Sequence, residues 1–364
     1  MKRVLVVAIV LLLLVVIGVA SLAYWTYRTV NTPVQHTHSN EFITIPKGSS
    51  PRQIVDQLVN EGILPSHVAT MIYLRTLGDA GNLQAGEYQF PSPITTLQVL
   101  KQLEKGQDAT IKLTIPEGFT RFDIAKRIVE KFPHDATIDE KVVLGMMDDT
   151  TLIKDIAPTA TNLEGYMYPS TYSLPRDAKP QDIIRGMVEQ FRKVWTPEFA
   201  AQAVAMHRTP HEIVTIASLI ETETGVESER PIVAGVIYNR LNKGTPLGID
   251  QTVVYVAKMR GVWNGNIHQS DIDFDSPYNT RKRSGLPPGP ISSVSESSIK
   301  AALYPQANDY IFYVRNVDAN DGSHWFYSSA ADFEKGKAKY QQWLEQQRAE
   351  KKAETNNQNS NPTP

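Results

Sequence analysis

The feature that most constrains this chain is its apolar N-terminus. Residues 4–24 form an uninterrupted run of 21 uncharged residues, 15 of them Val, Leu or Ile, and Lys2 and Arg3 precede the run. A helix of about 20 apolar residues crosses the hydrocarbon core of a bilayer. Each aliphatic residue contributes about -0.3 to -0.6 kcal/mol to insertion at the helix centre. We therefore predict a transmembrane helix over residues 4–24.

The flanking charges predict how this helix is oriented. Because Lys and Arg favour the cytoplasmic side, residues 1–3 are expected in the cytoplasm and the chain after Tyr27 outside the inner membrane, in a single-pass arrangement. A cleaved signal peptide is the alternative, although the apolar run exceeds the ~7–15 residues usual for one. Residues 25–41 are predicted to be a polar linker that reaches at most about 60 Å at ~3.6 Å per residue.

Charge and composition exclude several classes of protein. The net charge is -2, and no basic run in the folded region is longer than residues 281–283, which argues against nucleic-acid binding. The absence of cysteine excludes disulfides, thiolate metal sites and a cysteine nucleophile. Nothing in the composition suggests a metal or an organic cofactor.

A weak internal repeat organises residues 42–132. Residues 45–48, Ile-Pro-Lys-Gly, recur 70 positions later as Ile-Pro-Glu-Gly at residues 115–118, and an amphipathic helix follows each copy. Between the copies, a strand is predicted at residues 86–90 and a helix at 96–103. The expected strand–helix–helix–strand pattern resembles small LysM-like modules, which bind sugar polymers, and a plain spacer is the alternative.

The rest of the chain is assigned to one larger domain and a tail. Residues 133–345 are predicted to form an α+β catalytic domain, and residues 346–364 a polar tail that is disordered because it has too few apolar residues to pack. The predicted fold class of all soluble parts is α+β.

Glu221 is the residue that stands out in this domain. It belongs to a predicted helix over residues 209–225, which Thr209, Pro210 and Glu212 begin with a capping box. At 100° per residue, Glu221 falls inside the apolar arc of this helix. A carboxylate that faces a core loses hydration, which favours its protonated form and suits a general acid. A structural ion pair with Arg230 or Arg240 explains the pattern equally well.

Several further segments carry groups that bind sugars. They are a tyrosine-rich stretch at residues 162–172, a helix at 229–241 that carries Asn239 and Arg240, a segment at 247–255 with Asp250, and a Pro- and Gly-rich region at 276–290. Tyrosine rings stack on sugars, although they pack in cores nearly as often. Residues 310–314 and 325–327 are predicted to be paired strands, with His324 in a structural role.

Six motifs together resemble the YceG-like family of endolytic murein transglycosylases. These are NLEGY at 162–166, ASLIETET at 217–224, SER at 228–230, YNRL at 238–241, SPYNT at 276–280 and GLPPGPI at 285–291. The likeness runs from the apolar N-terminus to about residue 344. It departs from the family at YPSTY, residues 168–172, where FPDTY is usual, and at GIDQT, residues 248–252, where QxDPT is usual.

The resemblance implies an activity and a site. The expected reaction cleaves the β-1,4 bond from N-acetylmuramic acid to N-acetylglucosamine in nascent glycan strands, which would terminate elongation and leave a 1,6-anhydro end. The glutamate in the Ile-Glu-x-Glu-Thr motif, here Glu221, is implied to be catalytic. Glycan-polymerising penicillin-binding proteins are the implied partners. Residues expected to bind substrate are Glu223, Asn239, Asp250, Tyr278, Asn279 and Tyr166.

Two other functions remain open from the residues alone. A hydrolytic muramidase would need a second carboxylate near Glu221, for which Asp250, Glu223 and Glu229 are candidates. A non-catalytic glycan-binding scaffold would use the LysM-like module and keep Glu221 in an ion pair.

Overall fold

Helices with short two-stranded sheets build the chain, which confirms the predicted α+β class. The computed structural model describes residues 2–39, 41–106, 110–133, 137–176 and 178–359. Its contacts divide the chain into two units, residues 1–111 and residues 112–364.

The first unit contains the apolar helix and a small module. Its elements are α1 (Lys2–Asn31), β1 (Ile43–Ile45), α2 (Pro51–Asn60), α3 (His67–Thr76), β2 (Gly86–Tyr88) and α4 (Thr96–Lys105). Strands β1 and β2 are antiparallel, with Ile43 opposite Tyr88. Buried Ile54, Leu58 and Leu100 close the core. The order from β1 to β2 is strand–helix–helix–strand, but its second helix is α3, which the sequence pattern missed. Glycan binding by this module stays a prediction.

The predicted linker is corrected by the structure. Among the residues that the structure describes, one apolar helix, Leu5–Asn31, is long enough to span a membrane, and it includes residues 25–31 of that linker. Helix α1 packs against α3 and α4, and Val30 is buried. Beyond the helix, Val34 and Ile94 exchange two backbone hydrogen bonds of 2.8 and 3.0 Å. The last turns of α1 thus pack on the module, so the predicted linker, residues 25–41, is not a flexible chain along most of its length.

The second unit holds the remaining elements. They are β3 (Thr110–Thr114), which begins just before the boundary, α5 (Arg121–Lys131), α6 (Glu140–Met147), β4 (Thr171–Pro175), α7 (Pro180–Val194), α8 (Pro197–Ala205), α9 (Pro210–Glu223), α10 (Arg230–Asn242), α11 (Asp250–Met259), α12 (Gln269–Asp273), α13 (Glu296–Leu303), β5 (Phe312–Arg315), β6 (His324–Tyr327) and α14 (Ala330–Asn359). Strands β3 and β4 form one sheet, and β5 and β6 another. The predicted strand pair near the C-terminus is thus present, antiparallel, with Phe312 opposite Tyr327.

Two predicted boundaries differ from the structure. The boundary expected after residue 132 lies at 111, because the second copy of the repeat is fixed within the second unit: the backbone N–H of Ile115 donates to Ser170 and that of Gly118 to Ser293. The tail expected from residue 346 continues α14 to Asn359, since its Glu, Gln, Lys and Ala residues favour helix. Residues 360–364 of that tail lie outside the described residues.

Candidate active site

Helix α9 is the element that positions Glu221. Its capping box forms as predicted, with the Thr209 hydroxyl accepting from the Glu212 backbone N–H and the Glu212 carboxylate accepting from that of Thr209. Eight consecutive residues from Ile213 to Ile220 are buried, and the helix packs against α8, α10, α11 and α13. Glu221 lies in the last turn, and its side chain is 3% exposed.

Charged and polar donors surround the Glu221 carboxylate. Its Oε1 accepts from Arg230 Nη2 at 2.9 Å, and its Oε2 accepts from the backbone N–H and the hydroxyl of Ser295 at 2.7 and 2.5 Å. Arg230 Nη1 also donates to the Ser295 hydroxyl, at 2.7 Å. The ion pair with Arg230 that the sequence left open is therefore present. The helical pattern predicted apolar surroundings for this carboxylate, whereas the structure gives it charged and polar donors.

Ser295 lies beside Glu221 because the loop that precedes Ser295 is hydrogen-bonded to α9. The backbone N–H of Ile291 donates to the buried hydroxyl of Ser218 at 3.0 Å. Ser295 is the N-cap of α13, so the Glu221 carboxylate lies at the N-terminus of that helix, where the helix dipole stabilises negative charge. The GLPPGPI motif thus acts by carrying Ser295 to the catalytic candidate.

A polar cavity of about 530 Å³ adjoins this ion pair. It combines carboxylates, cations and hydroxyls, which are groups that can bind a carbohydrate. Its walls are Glu117, Tyr168, Gly225, Glu227, Arg230, Ser295, Glu296, Ser297 and Lys300.

Glu117 is the functional candidate that the sequence reasoning missed. It belongs to the second repeat copy, and its carboxylate lies 3.6 Å from Arg230 Nη2. Partial burial, together with repulsion from the Glu221 carboxylate, raises the pKa of Glu117, and Arg230 opposes that rise. One signal was available: the first copy of the repeat has Lys47 at the equivalent position. The two copies therefore differ in charge at the position where the second copy meets the site.

Glu223 and Asp250 lie together in another cavity, of about 580 Å³, which Arg240 and Arg281 also line. Two helical positions turn a side chain through about 200°, which directs Glu223 away from Glu221. The Tyr313 hydroxyl donates to Glu223 at 2.5 Å, while burial raises the pKa of the Glu223 carboxyl. The structure thus brings two predicted substrate-binding residues together, but not in the cavity beside Glu221.

The other predicted substrate contacts mainly hold the fold. Asn239 donates to the backbone oxygens of Asn308 and Tyr310, both at 2.9 Å. Tyr278 packs on Tyr255 with ring centroids 5.1 Å apart, and burial raises its pKa to about 12. Neither residue lines the cavity beside Glu221.

Tyr166 and Asn279, the other two residues predicted to bind substrate, are completely buried. Tyr166 packs edge-on against Phe191, and its hydroxyl pairs with the His211 ring at 2.8 Å. Asn279 donates to the backbone oxygens of Ile272 and Phe274. Packing and loop closure account for both residues, so substrate contact is not needed to explain them.

Glu229 is the third carboxylate considered for hydrolysis, and it too is held elsewhere. Its carboxylate accepts from the Thr224 hydroxyl and pairs with the His324 ring at 2.8 Å. This contact gives His324 the structural role predicted for it.

Glu164, in the NLEGY motif, is a buried carboxyl that does not line the cavity beside Glu221. It is 1% exposed and accepts twice from the backbone N–H of Arg121, at 2.9 and 3.1 Å. Burial raises its pKa to about 7. This residue links the NLEGY motif to the start of α5.

The chain is similar to known proteins along most of its length. The profile of the YceG-like family matches residues 43–339. An endolytic murein transglycosylase of Bacillus subtilis (strain 168) is 32% identical over 317 residues, which are 82% of this chain and 84% of that protein. One from Streptococcus pneumoniae serotype 2 (strain D39) is 28% identical over 333 residues, which are 83% of this chain but 59% of that protein.

A solved structure agrees with the sequence matches. The crystal structure of a yceG-like protein from Listeria monocytogenes has a TM-score of 0.54 and 32% identity, and the match covers 81% of this chain and 98% of that one. With the profile matching well over half of the chain and the Bacillus relative above 30% identity, this chain belongs to the YceG-like family.

Proposed function

We propose that this chain is an endolytic lytic transglycosylase that cleaves the β-1,4 bond from N-acetylmuramic acid to N-acetylglucosamine inside peptidoglycan strands and leaves a 1,6-anhydro end. The observation that carries the proposal is the Glu221 carboxylate, held beside a polar cavity by Arg230 and Ser295. The relatives named endolytic murein transglycosylases support the same reaction.

The reaction needs one proton donor, one base and no attacking water. A proton must reach the leaving glycosidic oxygen, and a base must take the proton of the muramic acid C6 hydroxyl as its oxygen attacks the anomeric carbon. One carboxyl can do both in turn: Glu221 gives its proton to the leaving oxygen, and the resulting carboxylate takes the C6 hydroxyl proton, which restores the acid. Arg230, 2.9 Å away, stabilises the Glu221 carboxylate whenever that group carries its negative charge.

Hydrolysis is the second candidate, because the structure does place another carboxylate, that of Glu117, next to Arg230. Retaining hydrolases use two carboxyl groups about 5–5.5 Å apart, one of which forms a covalent intermediate that water then cleaves. The two routes differ in their product: hydrolysis leaves a reducing end, whereas the transglycosylase route leaves the anhydro sugar.

The apolar helix supports a cellular location for the protein. We place the N-terminus in the cytoplasm of a cell with an inner membrane and the second unit outside, where nascent glycan and the polymerases that make it are found. The chain has no cysteine, so single cysteines introduced at Arg3 and at Glu198 test this topology. A membrane-impermeant maleimide applied to intact spheroplasts is expected to label position 198 alone; labelling of position 3 alone would reverse the orientation.

Glu221→Gln tests the function directly. The amide keeps the shape of the side chain but cannot act as a base, so release of anhydro-ended products from uncrosslinked glycan is expected to fall by about 10²–10⁴-fold or more. The measurement is mass spectrometry of products from the full chain in detergent, because α1 is part of the first unit. Glu130→Gln, an exposed carboxylate of α5, is the matched control. Equal product release by the Glu221→Gln variant and the control would remove Glu221 from the reaction.

A further inference from the structure

Two carboxylates share one guanidinium in the candidate site. Arg230 Nη2 lies 2.9 Å from Glu221 Oε1 and 3.6 Å from Glu117 Oε2. Because both distances start at the same nitrogen, Glu221 Oε1 and Glu117 Oε2 are at most 6.5 Å apart. Glu117 and Glu221 are therefore close enough to act on one glycosidic bond.

The position of Glu117 is fixed by the same loop that carries Ser295. The backbone N–H of Gly118 donates to the carbonyl of Ser293 at 3.2 Å, and the Ser293 N–H donates to the carbonyl of Phe119 at 2.7 Å. The Ser293 hydroxyl also donates to the carbonyl of Pro116, at 3.3 Å. The turn that holds Glu117 and the loop that holds Ser295 thus form one assembly around the Glu221 side chain.

The two carboxyl groups have different surroundings. Glu221 is 3% exposed, and its carboxylate accepts hydrogen bonds from three donors, which orient it as a proton acceptor. Glu117 is 55% exposed, faces the cavity, and lies beyond hydrogen-bond distance of Arg230. Partial burial, followed by repulsion from the neighbouring Glu221 carboxylate, raises the pKa of Glu117, and Arg230 opposes that rise. Environments that separate two carboxyl groups in this way commonly assign acid and base roles.

We propose that Glu117 is the proton donor of the reaction and Glu221 its base. This inference rests on the proposed function. It assigns proton donation and proton acceptance to two residues, whereas a single carboxyl would perform both in turn.

The proposed step conserves protons and consumes no water. The Glu117 carboxyl gives its proton to the glycosidic oxygen as the bond from that oxygen to the anomeric carbon breaks. The C6 hydroxyl oxygen of the muramic acid forms the new bond to the same carbon, and its proton passes to Glu221. Transfer of one proton from Glu221 back to Glu117, directly or through solvent, restores the starting state.

Other titratable groups line the same cavity and contribute to the pH dependence of the reaction rate. Glu227 precedes α10, Glu296 and Lys300 lie on α13, and Tyr168 precedes β4. Glu296 and Lys300 pair with each other at 2.6 Å, which partly cancels their charges. Burial raises the pKa of Tyr168, so it remains neutral through the range in which carboxyl groups titrate.

The test is the rate of anhydro-product formation by Glu117→Gln as a function of pH. The wild-type rate is expected to fall at alkaline pH as Glu117 loses its proton and at acid pH where the base is protonated, giving a bell-shaped profile. The variant is expected to lose about 10²-fold in kcat, with KM little changed, and to lose the alkaline limb while keeping the acid limb. Because Glu117 is half-exposed, the variant is expected to fold, and its thermal midpoint checks this. Glu130→Gln is again the control, with a wild-type profile.

Three results would count against the proposal, and they are distinguishable. An unchanged rate and profile in Glu117→Gln would show that Glu117 is only an ion-pair partner. A lower rate with both limbs retained would give it a structural or binding role and exclude proton donation. In both cases anhydro products from the wild type leave the proposed function intact. A wild type that forms no anhydro product would instead overturn the proposed function itself.

Discussion

Arg230 is the residue on which the candidate site depends. Its guanidinium contacts Glu221 and Ser295 directly and has Glu117 at 3.6 Å. The Arg230 side chain is 9% exposed, so it gives a nearly buried carboxylate the partner that such a charge requires. The sequence pattern named the Arg230 ion pair as an alternative to catalysis. In the structure the ion pair is present beside a polar cavity, so the ion pair and the proposed catalytic role are compatible.

Glu164 provides a prediction of how stability depends on pH. Its pKa is about 7 in the folded chain against 4.5 for an ordinary glutamate. Because the folded state prefers the protonated form, the stabilising contribution is complete below pH 4.5 and is lost as the pH rises through 7. At about 1.36 kcal/mol per pH unit, the loss is about 3 kcal/mol.

Urea unfolding of the wild type and Glu164→Gln from pH 4.5 to 8 checks this prediction. Tryptophan fluorescence is a suitable signal, since four of the five tryptophans lie in the second unit. The free energy of unfolding is expected to fall with pH in the wild type and to change less in the variant. Glu198→Gln, exposed on α8, is expected to behave as the wild type. Identical slopes in all three proteins would show that Glu164 is not the titrating group.

At the scale of elements, the NLEGY motif acts by supporting the loop that carries Ser295. Gly165 has φ of +81°, and a Cβ there would lie 2.6 Å from Pro290 and 2.9 Å from a Val214 methyl group. A side chain at this position is therefore both strained and obstructed. The close approach brings the NLEGY turn, α9 and the GLPPGPI loop together.

Gly165→Ala is expected to destabilise the second unit by about 1–3 kcal/mol and to lower activity by displacing Pro290 and the loop behind it. Gly145→Ala is the matched control, because Gly145 lies inside α6 with open space around it. That change is expected to be stabilising by up to about 1 kcal/mol, since alanine favours helix. Urea unfolding and product release measure both effects. A Gly165→Ala protein as stable and active as the control would refute this role of the motif.

Local signals explain which elements the sequence predicted well. Helix α9 is marked by a capping box and an apolar stripe, each set by nearby residues. The pairing of β5 with β6 depends on a short turn between them. Helix α3 was missed because its apolar residues do not cluster on one face: Val68 is exposed, whereas Ala69 and Leu74 are buried. Tyr166 and Asn279 were assigned to substrate because a motif does not reveal which side chains point inward. Contacts made across the fold decide that direction.

At the scale of the whole molecule, the main result that sequence could not supply is the meeting of Glu117 with Glu221. The two residues are 104 positions apart, and no periodicity relates them. The same long-range packing moves the second repeat copy out of the predicted LysM-like module and into the second unit. A repeat seen in sequence as one domain thus contributes one copy to a module and the other to the candidate site.

The most direct test of the central claim is the fate of solvent oxygen. The full chain in detergent is incubated with uncrosslinked glycan in water enriched in ¹⁸O, and the new ends are analysed by mass spectrometry. We predict 1,6-anhydromuramic ends that contain no ¹⁸O, because the C6 hydroxyl replaces water as the attacking group. Reducing ends carrying one ¹⁸O would contradict this account and identify the chain as a hydrolase.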